Sequence, residues 1–374
     1  MLKLHIIQAT CGDCLILEYG TSTPRFILID GGVSATYKHL QPVLKSLKAS
    51  HGDLDALVLT HVDDDHVGGL LKLTDQLKRQ QQKNEPPTVD LKRKALWFNS
   101  FSAAIDISDK DLAREAISKG LSGLADATPY AEMVAKSIAQ GDTFTQDAML
   151  LDMSWNPGLT GPLVTADGAP RPLASLDNLT LTVVGPLQEN LDALRREWIK
   201  WLKSKTKFAA ARAKSVKAAS RELDESAKNL SSIMLYAEAD GRTMLLTGDG
   251  RSDHLLAGLK QAGLLRDDGK PLHVDLLKLP HHGSIRNITT RGFFHIVTAD
   301  TYVISADGKN DNPDETTLKW LVEAVKDQRR QVEIAVTNSP KQVKWMVDTY
   351  PPAQFGYRLR GPIPRGKPEI VWPF

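Results

Sequence analysis

Apolar and polar positions along the chain alternate in short segments that predict strands interspersed with helices. Residues 2–7, 14–19 and 25–30 are predicted to form three short strands, and turn residues separate them. The apolar run 54–59 is typical of a buried strand, whereas residues 36–49 have the spacing of an amphipathic helix. The same criteria predict further strands at 95–98, 179–184, 231–238, 243–247, 274–279 and 302–305, and helices at 67–82, 101–140, 188–227, 252–262 and 315–329.

Two segments lack a clear period. Residues 154–176 are rich in glycine, proline and alanine, which favours a loop, and the tail 331–374 is predicted to hold two or three short extended pieces. Strands in runs mixed with helices are typical of a layered α/β fold. No 18-residue apolar run occurs, so no membrane span is expected.

The amino-acid composition indicates the class of protein and the cellular compartment to be expected. The 374 residues are 41% hydrophobic and 25% charged, which is ordinary for a soluble protein, and the length allows one large domain or two modest ones. The net charge of +2 favours no class of partner. Cys11 and Cys14 are too few for a disulfide framework, and the first residues alternate like a strand rather than a signal peptide. We therefore expect a cytoplasmic protein with no membrane partner.

The segment 60–69, Thr-His-Val-Asp-Asp-Asp-His-Val-Gly-Gly, concentrates ionisable side chains directly after the predicted strand 54–59. It holds two imidazoles and three carboxylates within the six residues 61–66. Desolvated groups of this kind would repel one another or lack partners unless a cation held them together. The segment therefore predicts a metal site, and a metal site makes the chain a candidate enzyme.

Acids and imidazoles also follow three other predicted strands, at Asp30, at Asp249 and at the tandem His281-His282. Strand ends on one side of layered sheets converge, so ligands that are distant in the sequence can meet in one cleft. We expect these residues to join the 61–66 segment.

This pattern resembles the metallo-β-lactamase fold superfamily, and most closely the hydrolase domain of the competence protein ComEC and its free-standing relatives. The resemblance implies a metallo-β-lactamase fold, an αββα four-layer sandwich of two mixed sheets with outer helices, in one domain over 1–374. Helical insertions at about 101–140 and 188–227 would lie near the active-site mouth. The shared motifs are Gly12-Asp13, Leu28-Ile29-Asp30-Gly31-Gly32, the segment 60–69, Leu245-Leu246-Thr247-Gly248-Asp249 and Leu277-Lys278-Leu279-Pro280-His281-His282-Gly283-Ser284.

The resemblance also implies roles for individual residues. Asp65 would orient the attacking water, and Asp13 and Asp30 would fix imidazole N–H groups. The metal ligands would be His61, Asp63, Asp65, His66, Asp249 and one or both of His281 and His282.

The sequence departs from the family pattern at two ligand positions. Asp63 replaces the usual second histidine, and no histidine lies between His66 and His254. Asn229 and Ser231 stand where the missing third imidazole would come. One metal position would then have only His61, Asp63 and Asp249, and the other would have Asp65, His66, Asp249 and one of the tandem histidines. More carboxylates make a harder site, so we expect one or two divalent ions, Zn²⁺ or, in the first position, Mn²⁺ or Mg²⁺.

The expected chemistry is hydrolysis by metal-bound hydroxide. Hydrolysis follows from the predicted site, whereas a phosphodiester substrate, in a nucleic acid or a nucleotide, follows mainly from the resemblance. Lys278, Ser284 and Asn287 are candidates for contacts with a substrate phosphate.

A basic segment offers a second candidate contact with an anionic polymer. Residues 195–221 contain ten basic residues and one acid, and Lys203, Lys205 and Lys207 lie at the centre. Such a stripe can follow a phosphate backbone. A solvated helix face whose apolar side packs on the body of the protein explains it equally well.

Two other functions remain open at this point. The chain could hydrolyse a lactone, a thioester or a β-lactam, although the missing imidazole argues against the usual lactamase site. It could also be a module that binds nucleic acid or protein, with structural metals.

Overall fold

The computed structural model describes residues 1–50, 53–100, 129–159, 163–167, 172–193, 195–196 and 231–373. In this part of the chain, two sheets pack face to face and helices cover both outer faces. The predicted four-layer α/β/β/α arrangement is therefore confirmed. The description leaves out residues 101–128 and 197–230, so most of both predicted helical insertions lies outside it.

The first sheet has the strand order β15-β1-β2-β3-β4-β5-β6 among the described residues. Strands β15 to β3 pair antiparallel, and strands β3 to β6 pair parallel, so the sheet is mixed. Its strands are β1 (Lys3–Ile7), β2 (Leu15–Tyr19), β3 (Arg25–Ile29), β4 (Asp53–Leu59), β5 (Ala95–Phe98), β6 (Ser154–Trp155) and β15 (Glu369–Trp372).

The second sheet has the order β14-β13-β12-β11-β10-β9-β8-β7 within the same residues. Strands β7 to β10 pair antiparallel and strands β10 to β14 pair parallel. Its strands are β7 (Pro172–Leu176), β8 (Leu179–Gly185), β9 (Met234–Ala239), β10 (Arg242–Leu246), β11 (Leu272–Lys278), β12 (Val297–Ile304), β13 (Val332–Val336) and β14 (Tyr357–Arg360).

The helices divide between the two outer layers. Their bounds are α1 (Tyr37–Ala49), α2 (Asp64–Gln82), α3 (Pro129–Leu150), α4 (Ser252–Gln261), α5 (Phe293–Ile296), α6 (Glu315–Asp327), α7 (Lys341–Thr349) and α8 (Pro352–Phe355). Helices α1, α2 and α3 pack on the first sheet, and α4 to α7 pack on the second. No helix in the described part of the chain is both long enough and apolar enough to span a bilayer.

The inner faces of both sheets form a central apolar layer. Leu4 and Leu17 of the first sheet share one buried cluster with Leu181 and Leu235 of the second. Removing apolar surface from water is the main favourable term in folding, so this shared layer holds the sheets together. It also fixes the strand ends of one sheet relative to those of the other.

Several predicted boundaries differ from the observed ones. The predicted loop 154–176 contains the short strands β6 and β7, whose glycine- and proline-rich surroundings conceal any period. The tail contains helix α7 besides strands. Its buried Gln342 and Met346 lie four residues apart, which places them on the same face of the helix. Helix α2 begins at Asp64 rather than residue 67, so part of the acidic segment forms its first turn.

Two glycine pairs bring the end of β3 against the start of α2. The Gly31 N–H donates to the His66 carbonyl at 2.7 Å, and the Gly69 N–H donates to the Gly32 carbonyl at 2.9 Å. A Cβ on Gly69 would lie 1.9 Å from the Gly31 carbonyl oxygen. Only glycine permits this approach, which sets the position of His66 against the first sheet.

His5 joins three strands at the edge of the first sheet. Its Nδ1 lies 2.9 Å from Glu369 Oε2 on β15, and its Nε2 lies 2.8 Å from Glu18 Oε2 on β2. Burial alone would lower the pKa of His5, but these carboxylates outweigh burial and raise it to about 9.

We expect His5 and its two carboxylate partners to make the free energy of unfolding depend on pH. Protonated His5 stabilises the folded state. This stabilisation is fully present below the ordinary pKa of 6.5 and is lost as pH rises through about 9. At about 1.4 kcal/mol per pKa unit, the loss is about 3 kcal/mol at most. Urea unfolding across this window should show a smaller pH dependence for His5→Gln than for the wild type. The exposed His295→Gln serves as control, and an unchanged slope in His5→Gln would contradict the prediction.

Candidate metal centre

Four histidines surround one buried carboxylate where the two sheets meet. His61 Nε2 and His281 Nε2 lie 3.7 and 3.5 Å from Asp249 Oδ2. His66 Nε2 and His282 Nε2 lie 3.2 and 3.6 Å from Asp249 Oδ1. We call these four residues the histidine cluster. Each oxygen of Asp249 therefore faces one histidine from segment 61–66 and one from the tandem 281–282.

Strand pairing explains why these residues meet. Strands β3 and β4 run parallel, so Asp30 and Thr60 emerge side by side. Strands β10 and β11 also run parallel, so the segment carrying Asp249 lies beside the one carrying the tandem histidines. The Ile233 N–H donates to the Thr60 carbonyl at 3.0 Å and joins the two sets of strand ends.

Two further carboxylates lie on the solvent side of the histidine cluster. Asp63 Oδ2 lies 3.8 Å from His61 Nε2, and Asp65 Oδ2 lies 3.5 Å from His282 Nε2. Their side chains are 24% and 30% exposed, whereas that of Asp249 is 3% exposed. A substrate would therefore approach from the side of Asp63 and Asp65.

Hydrogen bonds on the first pair of imidazoles turn each Nε2 toward Asp249. Asp30 Oδ2 can only accept, so His66 Nδ1, at 2.7 Å, donates to it. Thr60 Oγ1 donates its single proton to Asp30 Oδ2 at 2.7 Å and can only accept from His61 Nδ1, at 3.1 Å. In its neutral form, each ring therefore carries the proton on Nδ1 and presents an Nε2 lone pair.

The same logic applies to His281. Asn287 Nδ2 donates to the Asp249 carbonyl at 2.7 Å, so Asn287 presents its Oδ1 to His281 Nδ1, also at 2.7 Å. The His281 proton is then on Nδ1, and Nε2 is left for a ligand role.

Left-handed backbone brings the tandem histidines to opposite oxygens of Asp249. His281 has φ 45° and His282 has φ 56°, a region that costs a non-glycine residue about 1 kcal/mol or more. Hydrogen bonds keep the turn closed, from the His281 N–H to the Gly248 carbonyl at 3.0 Å and from the Ser284 N–H to the His281 carbonyl at 2.8 Å.

Charges in the centre depend on one another. Burial alone would raise the pKa of Asp249, but His66, His281 and His282 reverse the effect and hold it well below its usual value. Burial would lower the pKa of His66, yet Asp249 and Asp30 raise it well above the usual value. Without another cation, the carboxylates thus draw protons onto buried imidazoles.

Unused polar atoms show that the residues fit a divalent ion. Among the described residues, His61 Nε2, His66 Nε2, His282 Nε2 and Asp249 Oδ1 are buried and lack a hydrogen bond of acceptable geometry. Ligand atoms of His61, His66 and Asp249 lie within 4.8 Å of one another, as do those of Asp65, His66 and His282. Buried polar atoms without partners are costly, and a metal ion would satisfy all of these.

The structure brings together the residues that the sequence suggested as ligands. It also shows which of the tandem histidines face Asp249. Both tandem histidines face Asp249, and His281 lies on the side where an imidazole was missing. Asp30 contacts His66 as expected, and Asp13 Oδ1 lies 3.5 Å from His282 Nδ1. Metal binding by these residues stays a prediction.

The predicted substrate contacts fit the structure less well. Lys278 is 0% exposed and Asn287 is 3% exposed, and both are held by protein partners. Ser284 is also buried, and its Oγ accepts from the Arg286 N–H at 3.4 Å. These three residues support the centre from behind and do not line its solvent side.

One supporting residue was missed by a single position. Ser232 Oγ accepts from the Asp249 N–H at 3.0 Å and lies 3.2 Å from His61 Nδ1, the position expected for Ser231. Two consecutive serines before a strand give no sequence signal that separates them. Asn229, Lys203, Lys205 and Lys207 lie outside the described residues.

Among the comparisons with known proteins, one family model matches part of the chain. A model of the metallo-beta-lactamase superfamily matches residues 14–116, which include β2 to β5 and the segment 61–66. A search of curated proteins finds no match. Among solved structures, the metallo-beta-lactamase fold protein YhfI from Bacillus subtilis is 11% identical, with a TM-score of 0.39 over 100% of this chain and 99% of that one.

The layer order and the two mixed sheets are those of the metallo-β-lactamase fold. The superfamily match supports a relation to proteins that are mostly hydrolases and that typically bind divalent metals, usually zinc. The predicted relation to ComEC is finer than this match and stays a prediction.

Proposed function

We propose that the chain is a metal-dependent hydrolase that acts on phosphodiesters of a nucleic acid or a nucleotide. The observation that carries the proposal is the histidine cluster, in which four imidazole Nε2 atoms lie 3.2 to 3.7 Å from the oxygens of one buried carboxylate. An arrangement of this kind has no evident structural purpose without a cation.

The residues would form two metal positions that share Asp249. Each position has two imidazoles and two carboxylates, a mixed donor set that suits Zn²⁺ and Mn²⁺. A divalent ion at either position would lower the pKa of water and withdraw charge from a substrate oxygen. The ligands would be His61, His281, Asp63 and Asp249 Oδ2 in one position, and His66, His282, Asp65 and Asp249 Oδ1 in the other.

Asp65 is the best candidate to orient the attacking water. Burial alone would raise its pKa, but His282 and His66 lower the pKa below the usual value, so the carboxylate is ionised at neutral pH. An ionised carboxylate accepts hydrogen bonds and does not donate. Its side chain also reaches solvent, which lets it hold a water molecule against a substrate.

Support for a phosphodiester comes from the resemblance in motifs and from one described cation near the entrance. Lys136 of α3 is 56% exposed and lies 3.0 Å from Asp64 Oδ2, one residue from both Asp63 and Asp65. Gln140 also donates to Asp64, at 2.6 Å. Lys136 offsets the charge of Asp64, which lowers the negative charge that a substrate anion would meet beside the metal centre.

A substrate panel tests the proposal. Protein stripped of metal and reloaded with Mn²⁺ or Zn²⁺ should cleave bis(p-nitrophenyl) phosphate or labelled DNA. Asp65→Ala should lower turnover by a factor on the order of 10², the size expected for a residue that orients the attacking water. Asp75→Ala, an exposed acid of the same helix, is the matched control.

Each rival function has its own outcome in the same panel. Turnover of lactones, thioesters or nitrocefin alone would contradict the phosphodiester substrate but keep the hydrolase. Absence of all turnover, with DNA binding that survives Asp65→Ala and disappears when Lys203, Lys205 and Lys207 are changed to glutamate, would favour a binding module.

A further inference from the structure

Lys278 is a fully buried cation directly behind the metal centre. It is the last residue of β11 and is 0% exposed. Its Nζ forms an ion pair with Asp13 Oδ2 and donates to the Gly248 carbonyl at 3.0 Å. A buried ammonium is costly unless it is paired and hydrogen-bonded. Even a buried ion pair is often no more stabilising than apolar side chains of similar volume, so stability alone does not explain Lys278.

Asp13 connects this cation to the histidine cluster. One carboxylate oxygen pairs with Lys278, and the other, Oδ1, lies 3.5 Å from His282 Nδ1. The Asp13 N–H also donates to the Asp65 carbonyl at 3.2 Å, and its carbonyl accepts from the Gly32 N–H at 2.7 Å. The backbone of Asp13 is thus held by α2 and by the segment after β3, and its carboxylate contacts the end of β11 and the segment that follows it.

Lys278 also fixes the peptide that precedes Asp249. The Gly248 carbonyl accepts from Lys278 Nζ, and the Asp249 N–H donates to Ser232 Oγ at 3.0 Å. This peptide plane is therefore held on both sides. Gly248 itself has φ +48°, a left-handed conformation that glycine adopts readily.

We propose that Lys278 is a positioning residue that aligns His282, through Asp13, and the shared ligand Asp249, through Gly248, for metal binding. The inference rests on the proposed function, since it assumes that the centre holds metal. It assigns Lys278 no contact with a substrate or a reacting atom. It also explains why a lysine lies where burial would favour an apolar side chain.

The competing explanation is an ion pair that merely joins the two sheets. The two explanations differ in what happens when both charges are removed. Replacing a buried ion pair by neutral groups of similar volume is often neutral for stability, so a purely structural pair would leave metal binding intact. A positioning role predicts weaker metal binding even in a well-folded protein.

The test compares Lys278→Met, Asp13→Asn and the double variant with wild type. Loss of an orienting partner typically costs 10- to 100-fold in metal affinity. We expect a loss of about that size at the position that includes His282, and a smaller loss at the other position, because both share Asp249. Because Lys278 acts largely through Asp13, the double variant should lose little more than the worse single variant. The readouts are Mn²⁺ and Zn²⁺ stoichiometry and affinity by titration, and the absorption spectrum of the Co²⁺-loaded protein. Lys260→Met, at an exposed lysine of α4, is the matched control.

The outcomes separate this inference from the proposed function. Wild-type protein that binds no divalent ion would overturn both. Wild type that binds metal, with Lys278→Met unchanged in affinity and Co²⁺ spectrum, would overturn only the role of Lys278. If Lys278→Met does not fold, the double variant decides, because it buries no charge. Wild-type affinity in the double variant would equally overturn the role.

Discussion

Asp249→Asn is expected to abolish metal binding at both positions and to reduce hydrolysis by a factor on the order of 10³ or more. The carboxylate lies 3.2 to 3.7 Å from all four imidazoles of the histidine cluster, so each position depends on it. The amide keeps the shape but lacks the charge, and one of its two ends is a donor that would repel an ion. Metal content after dialysis and hydrolysis of bis(p-nitrophenyl) phosphate measure the effect.

Asp253→Asn makes the matched control for this change. It is four residues further along, 45% exposed, and paired with Arg251 outside the centre. It should retain metal and activity. Asp249→Asn protein that still binds two ions would show that the histidine cluster does not share this carboxylate.

Gly69→Ala is expected to destabilise the protein strongly, by about 3 kcal/mol or more, the upper end for overpacking. Helix propensity alone would favour alanine at this position by about 1 kcal/mol. The new Cβ would however lie 1.9 Å from the Gly31 carbonyl oxygen, and neither backbone can move without opening the contact between β3 and α2. Urea or thermal unfolding measures the loss.

The control for this prediction is Gly292→Ala, at which the backbone has φ −73° and the nearest atom to a new Cβ is 3.8 Å away. That change should be nearly neutral. If Gly69→Ala were as stable as Gly292→Ala, the close crossing of the two glycine pairs would not be present in solution. Weaker metal binding in a folded Gly69→Ala protein would also show that the crossing positions His66.

The sequence could indicate which residues would lie together because the predicted ligands follow strands. An apolar run followed at once by acids and imidazoles marks a strand end, and parallel pairing brings such ends together. Asp30, the 61–66 segment, Asp249 and the tandem histidines could all be found by this rule. Strands of the central layer were also predicted, since burial there imposes a regular apolar pattern.

Supporting contacts could not be predicted in the same way. A motif shows that Lys278 and Asn287 lie near the centre, but it does not show which way each side chain faces. Two buried supporting residues were therefore predicted to contact a substrate. Ser231 and Ser232 are adjacent and of the same type, so the sequence does not indicate which of them lies beside His61. The assignment of His281 and His282 depends on two consecutive left-handed residues, and non-glycine sequences give little warning of that conformation.

The pairing of β1 with β15 constrains how the protein can be made. Leu4 is opposite Trp372 in this ladder, so one edge of β1 stays uncovered until residues near 370 have been synthesised. During synthesis that edge presents free backbone groups to any other extended chain. Pairing over so long a separation is slow to form, so the growing chain is exposed to aggregation until β15 has been made and has paired.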